Sequence, residues 1–490
     1  MLLLGIDLGT SSIKVSIVDA ETQQCIVSAQ YPEEETTITS LQTGWAEQAP
    51  ETWWQNIKGA IKKANATDKF DPKDIAAIGI AYQMHGLVLV DTQQNVLRDS
   101  IIWCDSRAVE TGNAALKKIG QQRSLSSLLN SPGNFTASKL SWVKENEPKI
   151  FQSSYKMMLP GDFAAMKLTG EITTTSSALS EGIFWDFRED ELSKDVMNCF
   201  GFDEKIIPDV RPLFSTHGSL SKEVAKELSL KPGIPVSYKA GDQLNNALSL
   251  NVFHPGEVAA TAGTSGVIYA VTDRLFFDKL SRVNAFAHVN HSKAEKRVGV
   301  LLCINGTGIM NRWIRDLSAT NYIEMNKQAS QIQPGSDRLF VLPFGNGSER
   351  IFENKIVGAH VLNIDLNKHS KAHVFRATQE GIVFSFRYGL DIMRENGIQP
   401  SVIRLGKANM FLSELFVSAF VDATNVPVEM YENDGSVGAA LGAGIGAGIF
   451  SSLKEAFNNL KLIKRVDPSS NVRLYDDLYE KWKRELMKVL

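Results

Sequence analysis

The sequence predicts an α/β chain of two similar lobes facing each other across a cleft, and three observations carry that prediction. The length, 490 residues, exceeds what a single hydrophobic core organises and suits two or three domains. A strand, a Gly-Thr-Ser turn and a second strand occupy residues 2–19. The same unit recurs at 256–271 as GEVAATAGTSGVIYAV. Two copies of one supersecondary unit about 250 residues apart mark a duplicated fold. The boundary is expected near residues 246–255, giving one lobe over 1–248 and a second over 249–490.

The elements follow in order. Residues 2–7 read as a short buried strand, closed by a Gly-Thr turn. Residues 13–19 alternate as a second strand, 22–24 turn, and 25–31 read as a third. This is a β-meander and not the strand–loop–helix of a P-loop protein. Residues 50–64 have helical period, with Pro50 at the start, where a missing N–H is harmless. Residues 75–81 form an apolar strand of the kind buried on both faces. Residues 100–103 read as another strand, and the apolar run 235–240 gives way to a helix at Asp242. Loops are expected at 230–235, 333–336 and 344–348. The uncharged stretch 435–453 is long enough to span a bilayer, but Gly, Ala and Ser dominate it, so it reads as a tightly packed core helix. Residues 466–490 read as a charged terminal helix packed on the surface.

Composition narrows the function. A hydrophobic share of 43% and a charged share of 22% are those of an ordinary globular chain. A net charge of −3 draws it to neither nucleic acid nor an anionic membrane, so any phosphate must be held by local groups. The four cysteines, Cys25, Cys104, Cys199 and Cys303, are scattered and read as buried small hydrophobes of a reducing compartment, not as a disulfide or zinc framework. The opening MLLLGIDLGT lacks a basic segment, so it is not expected to act as a signal peptide. Together these features lead us to expect a cytoplasmic enzyme.

Several short motifs carry chemistry. In Asp7-Leu8-Gly9-Thr10-Ser11-Ser12 a tight turn offers backbone N–H groups and three hydroxyls to a phosphate chain. Asp7 at the strand end suits hydrated Mg²⁺, and Lys14 lies two residues past the turn. The alternative is a turn that merely favours Gly and Ser. The second copy at Gly263-Thr264-Ser265 makes a paired phosphate clamp the stronger explanation. Asp242, between strand and helix, is either a helix N-cap, the commoner role for this spacing, or a base that takes a hydroxyl proton. Gly241 before it permits close approach of a ligand to the backbone. Met84 and His85, in Gln83-Met84-His85-Gly86, sit at a strand end where α/β lobes face ligands, although a structural histidine explains the pattern equally. Trp103, Asp105 and Arg107 would stack on and bond a polyol or form an ion pair, and Trp45 with Glu47 share that ambiguity.

Taken together, these residues resemble the FGGY family of carbohydrate kinases. The matching pieces run nearly end to end in the family's order: GIDLGTSSIKVSIVD, GWAEQAPETWW, AYQMHGLVLVD, IIWCDSRA, FTASKLSWVKENEP, MLPGDFAAMKLTGE, AGDQLNNALSL, AATAGTSGV, FVLPFGNGSER and DGSVGAALGAG. The resemblance implies two RNase-H-like domains of the actin and hexokinase type, with sugar and ATP in the cleft. It implies transfer of the γ-phosphoryl group of MgATP to the terminal hydroxyl of D-xylulose, the acceptor to which the QMHG segment points. By position, Asp242 would be the base, and Met84, His85, Trp103, Asp105 and Asp242 would contact the sugar. Thr10, Ser11, Ser12, Lys14, Gly263 and Thr264 would hold phosphates and Asp7 the Mg²⁺. Gly406, Ala408 and Asn409 would lie at the adenosine, and 438–442 where the second lobe nears the nucleotide. Sugar and ATP would be the partners, with no nucleic acid or membrane, and a homodimer is compatible with the family. Two departures stand out. Arg404-Leu405-Gly406-Lys407-Ala408-Asn409 keeps one glycine where the family shows a run, and Ile351-Phe352 replace a usual Thr-Pro after Ser348-Glu349-Arg350. The other readings are a kinase for ribulose, glycerol or a sugar acid, and a non-catalytic actin-fold ATPase.

Overall fold

The computed structural model describes residues 1–432 and 434–490. Two mixed sheets dominate it. Among the described residues the first sheet orders its strands Gly218–Ser219, Pro235–Gly241, Ile75–Tyr82, Leu2–Leu8, Ile13–Asp19 and Cys25–Tyr31. The second orders them Asn284–Ala287, Val298–Ile304, Gly266–Thr272, Glu257–Ala262, Val402–Gly406, Val428–Tyr431 and Leu462–Val466.

One pairing scheme runs through both. In the first sheet an antiparallel meander over 2–31 continues into two parallel neighbours, 75–82 and 235–241. In the second, 257–304 holds the meander, and 402–406 and 428–431 are the parallel neighbours. Each Gly-Thr-Ser loop is the tight turn between the first two strands of its meander. Parallel neighbours need crossover connections. Here these carry helices such as Pro50–Asn65, whose Trp53, Ile57 and Ile61 are buried against strands Ile13–Asp19 and Cys25–Tyr31.

One face of the first sheet is covered by a helix from the far end of the chain, Gly435–Gly446. Gly5 and Gly79 pair across adjacent strands. A Cβ on Gly5 would fall 1.7 Å from the Ser436 carbonyl oxygen, and one on Gly79 2.0 Å from that of Ala439. Helix backbone therefore lies directly on sheet backbone, which only side-chain-free positions allow. The same helix packs on Asp242–Ser249, so the two halves of the molecule meet along this helix pair.

Four expectations change in detail. Residues 344–348, expected as a loop, belong to strand Phe340–Glu349, whose pairing with Lys355–Leu362 is interrupted between Phe344 and Ser348. Gly345 and Gly347 thus mark a bulge and not the end of the strand. The strand expected over 100–103 shortens to Ser100–Ile101, because Asp105 N–H turns back to the Ile102 carbonyl (3.2 Å). The helix expected over 435–453 stops at Gly446, and the chain turns through Gly448, with φ of 71°, before the short helix Leu453–Ala456. The terminal helix is Val472–Met487. It buries Tyr475, Tyr479 and Trp482, and Trp482 Nε1–H donates to the Val341 carbonyl (2.8 Å), so it belongs to the core.

Candidate active site

Three parallel strands of the first sheet lie side by side and end at one edge of it: Pro235–Gly241, Ile75–Tyr82 and Leu2–Leu8. Their ends deliver Asp242, the Gln83-Met84-His85 turn and Asp7 to the same place, as carboxyl ends of parallel strands do in α/β folds. Gly241, and not Asp242, holds the N-cap position of helix Asp242–Ser249 and makes no side-chain cap, so the capping role is not what Asp242 performs. Burial pushes the Asp242 carboxyl up to about 7; the Asp7 charge adds to the shift and bonds from Gln243 oppose it. Burial, reinforced by Asp434 and opposed by Lys14, lifts Asp7 to about 6. Both residues are half-buried.

Lys14, expected at the phosphates, is paired with Asp434. Asp434 also caps helix Gly435–Gly446 by accepting from Ser436 N–H (2.9 Å). Burial opposes ionisation of Asp434, but Lys14 and Ser436 outweigh it and hold its pKa below the usual carboxylate range. The Lys14 side chain remains 41% exposed, so this pairing does not wall it off.

In the first Gly-Thr-Ser loop, Gly9 N–H closes the turn on the Ser12 carbonyl (3.2 Å). The Thr10 hydroxyl donates to Gln83 Oε1 (3.0 Å) and accepts from Trp103 Nε1–H (3.0 Å), while Gln48 Nε2–H donates to the Thr10 carbonyl (2.8 Å). Thr10 is thus a junction of the loop, the Gln83-Met84-His85 turn and Trp103. Ser11 is exposed, and the Ser12 hydroxyl accepts from Gln30 (2.9 Å). In the second loop the carbonyls of Gly263 and Thr264 accept from Gly308 N–H (3.0 Å) and Ile309 N–H (3.1 Å) at the start of helix Gly308–Leu317.

In the Gln83-Met84-His85 turn, His85 sits in the left-handed region with φ of 63°. The buried ammonium of Lys139 fixes that turn by donating to the carbonyls of His85 and Ile102, each at 2.9 Å. The His85 ring packs edge-on against Phe135 (4.8 Å between centroids) and beside Phe286 of the second sheet (5.4 Å). Burial, with the Lys139 charge, lowers it to about 3, so the imidazole is neutral. Its Nδ1–H donates to the Glu181 carbonyl (3.0 Å). Met84 is buried against Gly241, where a Cβ would fall 2.6 Å from Met84 Cγ and 2.7 Å from Glu181 Oε2. Trp103 is 53% exposed. The structure does not bring Asp105 to the cleft. It is wholly buried, its carboxylate taken by Ala46 N–H (2.6 Å) and by Arg107 at 2.7–3.0 Å, whose guanidinium lies 3.8 Å over the Trp45 ring.

A cavity of about 370 Å³ adjoins the second loop, lined by Gly263, Thr264, Gly308, Asn311, Arg312 and Asn409 among others. Asn311 Oδ1 is buried without a partner among the described residues, an acceptor free to meet a nucleotide's amino or hydroxyl group. Of the three expected adenosine residues only Asn409 lines this cavity. Gly406 and Ala408 open on a separate one with Tyr431 and Lys461, because the strand Val402–Gly406 ends before the chain turns in at Asn409. Among the described residues no group of three or more His, Cys, Asp or Glu could cage a metal alone. A Mg²⁺ held by one carboxylate, water and substrate phosphates needs no such cage, and Asp7 fits that donor set.

Asp434, Glu181 and Lys139 also adjoin these residues, and the sequence does not single them out. The segments that carry all but Glu181 were visible as motifs, but the partners that give the residues their roles are distant in sequence.

Two sheets built on one meander, with carboxylates at the strand ends of the first and a cavity beside the Gly-Thr-Ser loop of the second, make a two-lobed fold of the actin and hexokinase type. The model of the FGGY carbohydrate kinase N-terminal domain matches residues 2–249, and that of the C-terminal domain matches 258–448. The chain belongs to the FGGY family of carbohydrate kinases and is an ATP-dependent sugar kinase. It is 30% identical to the xylulose kinase of Escherichia coli K12 over 441 residues, covering 89% of this chain and 88% of that one. It is 28% identical to the xylulose kinase of Bacillus subtilis over 498 residues, covering 98% and 95%. Its fold superposes on the crystal structure of a xyloylose kinase from Brucella ovis with a TM-score of 0.90 at 24% identity, covering 100% of this chain and 99% of that one. It also superposes on the Plasmodium falciparum glycerol kinase with ADP, with a TM-score of 0.89 at 19% identity, covering 100% and 98%.

Proposed function

We propose that the chain transfers the γ-phosphoryl group of MgATP to the terminal hydroxyl of D-xylulose, giving D-xylulose 5-phosphate and ADP. The observation that carries this reading is the convergence of Asp242, Met84 and His85 at neighbouring strand ends. The first lobe, 1–248, would supply the acceptor pocket and the base, and the second, 249–490, the nucleotide cavity. The sugar oxygen attacks the γ-phosphorus while the bond to the bridging β–γ oxygen breaks, and Asp242 takes the hydroxyl proton. Such a transfer asks mainly for positioning and charge stabilisation. Bound Mg²⁺ would neutralise developing charge on the phosphates, with Asp7 holding it. Ser11, the backbone of the first loop, Gly263 and Thr264 would contact the phosphate chain, and Asn409 the nucleoside.

The neutral His85 ring, flanked by Phe135 and Phe286, suits an uncharged sugar better than a sugar acid. The xylulose kinase names of the relatives point the same way. The four cysteines are free but not buried as expected, since Cys25 and Cys104 are exposed and Cys199 and Cys303 half-buried; free, accessible thiols and an ATP substrate suit a reducing cytoplasm. Among the described residues no helix is long and apolar enough to cross a membrane. An assay of MgATP with xylulose, ribulose, glycerol and gluconate tests the acceptor. The highest kcat/KM should fall on D-xylulose, and preference for another sugar by about tenfold or more would reassign it.

A further inference from the structure

Glu181 closes helix Ser176–Glu181 and is 1% exposed. Neither carboxyl oxygen has a hydrogen-bond partner among the described residues. One of them lies in the space that a Cβ on Gly241 would fill, directly before Asp242, and the residue's carbonyl holds His85 Nδ1–H. The helix itself is anchored to the second lobe. Ser177 Oγ donates to the Ala287 carbonyl (2.8 Å), and Ala287 N–H donates to Ser180 Oγ (2.9 Å), along the edge strand that carries Phe286. One short helix thus touches the acceptor turn, the base turn and the other lobe.

A buried carboxyl with no partner is a liability that packing alone does not require. The titratable groups around it are Tyr82, Asp162 (paired with Lys239), Asp242 and Tyr269, with neutral His85 on its carbonyl. None supplies a bonded cation, so an isolated charge there is disfavoured and the group keeps its proton. Burial first, with Asp242 and Asp162 adding to it, holds its pKa well above the usual range; the nearby Tyr82 hydroxyl opposes this without a bonding geometry.

Building on the kinase reading above, we propose that Glu181 is a positioning residue of the acceptor site that works as an uncharged acid. Its carbonyl orients His85 and its neutral carboxyl backs the Gly241–Asp242 turn. Its ionisation would put a second negative charge beside the base and the incoming phosphate, switching the site off. Its folded pKa exceeds the unfolded value of 4.5. The stability it contributes is therefore complete below that value and is lost as pH rises through the folded one.

The test compares wild type, Glu181→Gln and Glu181→Ala across about pH 5 to 10, reading kcat/KM for D-xylulose and the apo Tm. Gln should move the alkaline fall of kcat/KM upward by at least about one pH unit and remove part of the Tm loss at high pH. Ala should raise KM for the sugar about tenfold while KM for ATP changes little. An alkaline limb and a pH–Tm curve that Gln leaves where they were would overturn the proposal, as would an unaltered sugar KM in Ala. If Ala does not fold, Gln alone decides. A wild type inactive on every sugar would refute the kinase reading, and the Tm comparison would still judge the acid.

Discussion

A carboxylate that must take a proton from a sugar hydroxyl gains from a raised pKa, because it keeps the proton better once taken. The surroundings of Asp242 provide this: burial and the Asp7 charge put it near 7. The sign of the pH effect follows. Asp242 accepts a proton only when ionised, so kcat/KM should fall as pH drops through about 7, a limb to be read from a pH–rate profile. Asp242→Asn should reduce kcat by about 10²–10⁴ and, by removing a buried acid, leave the apo Tm at neutral pH equal or higher. Loss of activity together with a collapsed Tm would instead make Asp242 structural. That Asp7, Asp242, Met84 and His85 stand together at strand ends was legible in the sequence because each sits in a compact motif. Glu181 and Asp434 were not, since their partners, Gly241 and Lys14, are brought to them only by tertiary packing. Asp105 misled for the same reason. Nothing local shows that Arg107 and Ala46 take its carboxylate.

Among the elements, the helix Gly435–Gly446 shows how small residues can be chosen for contact as much as for flexibility. Gly79→Ala would drive a methyl into the Ala439 carbonyl, and a shift of helix against sheet is the only relief. We expect a loss of about 3 kcal/mol in urea unfolding, against a few tenths for a surface alanine substitution. Gly241→Ala would push on Met84 Cγ and Glu181 Oε2, and should raise KM for the sugar more than KM for ATP in steady-state assays. The meander and its second copy were readable because alternation and a fixed Gly-Thr-Ser turn are local signals. The extended residues 344–348 were not, because glycines that form a bulge look in sequence like glycines that form a loop.

At the scale of the whole molecule, two lobes joined along a helix pair suggest closure around sugar and nucleotide, which would exclude water from the transfer. The radius of gyration in solution scattering should fall when D-xylulose and a non-hydrolysable ATP analogue are added together. An unchanged value would argue for a preformed closed site. The helix laid over Gly5 and Gly79 also carries a consequence for biosynthesis. The last strand of the first sheet ends at Gly241, but the segment that covers the sheet starts only at Gly435. At about 5–20 residues per second, a ribosome needs roughly 10–40 s to make the intervening chain. For that interval the nascent first lobe would carry an open backbone groove, a natural landing place for a chaperone. Residues 1–249 made alone should therefore be aggregation-prone, and a peptide spanning 434–448 added in trans should rescue them.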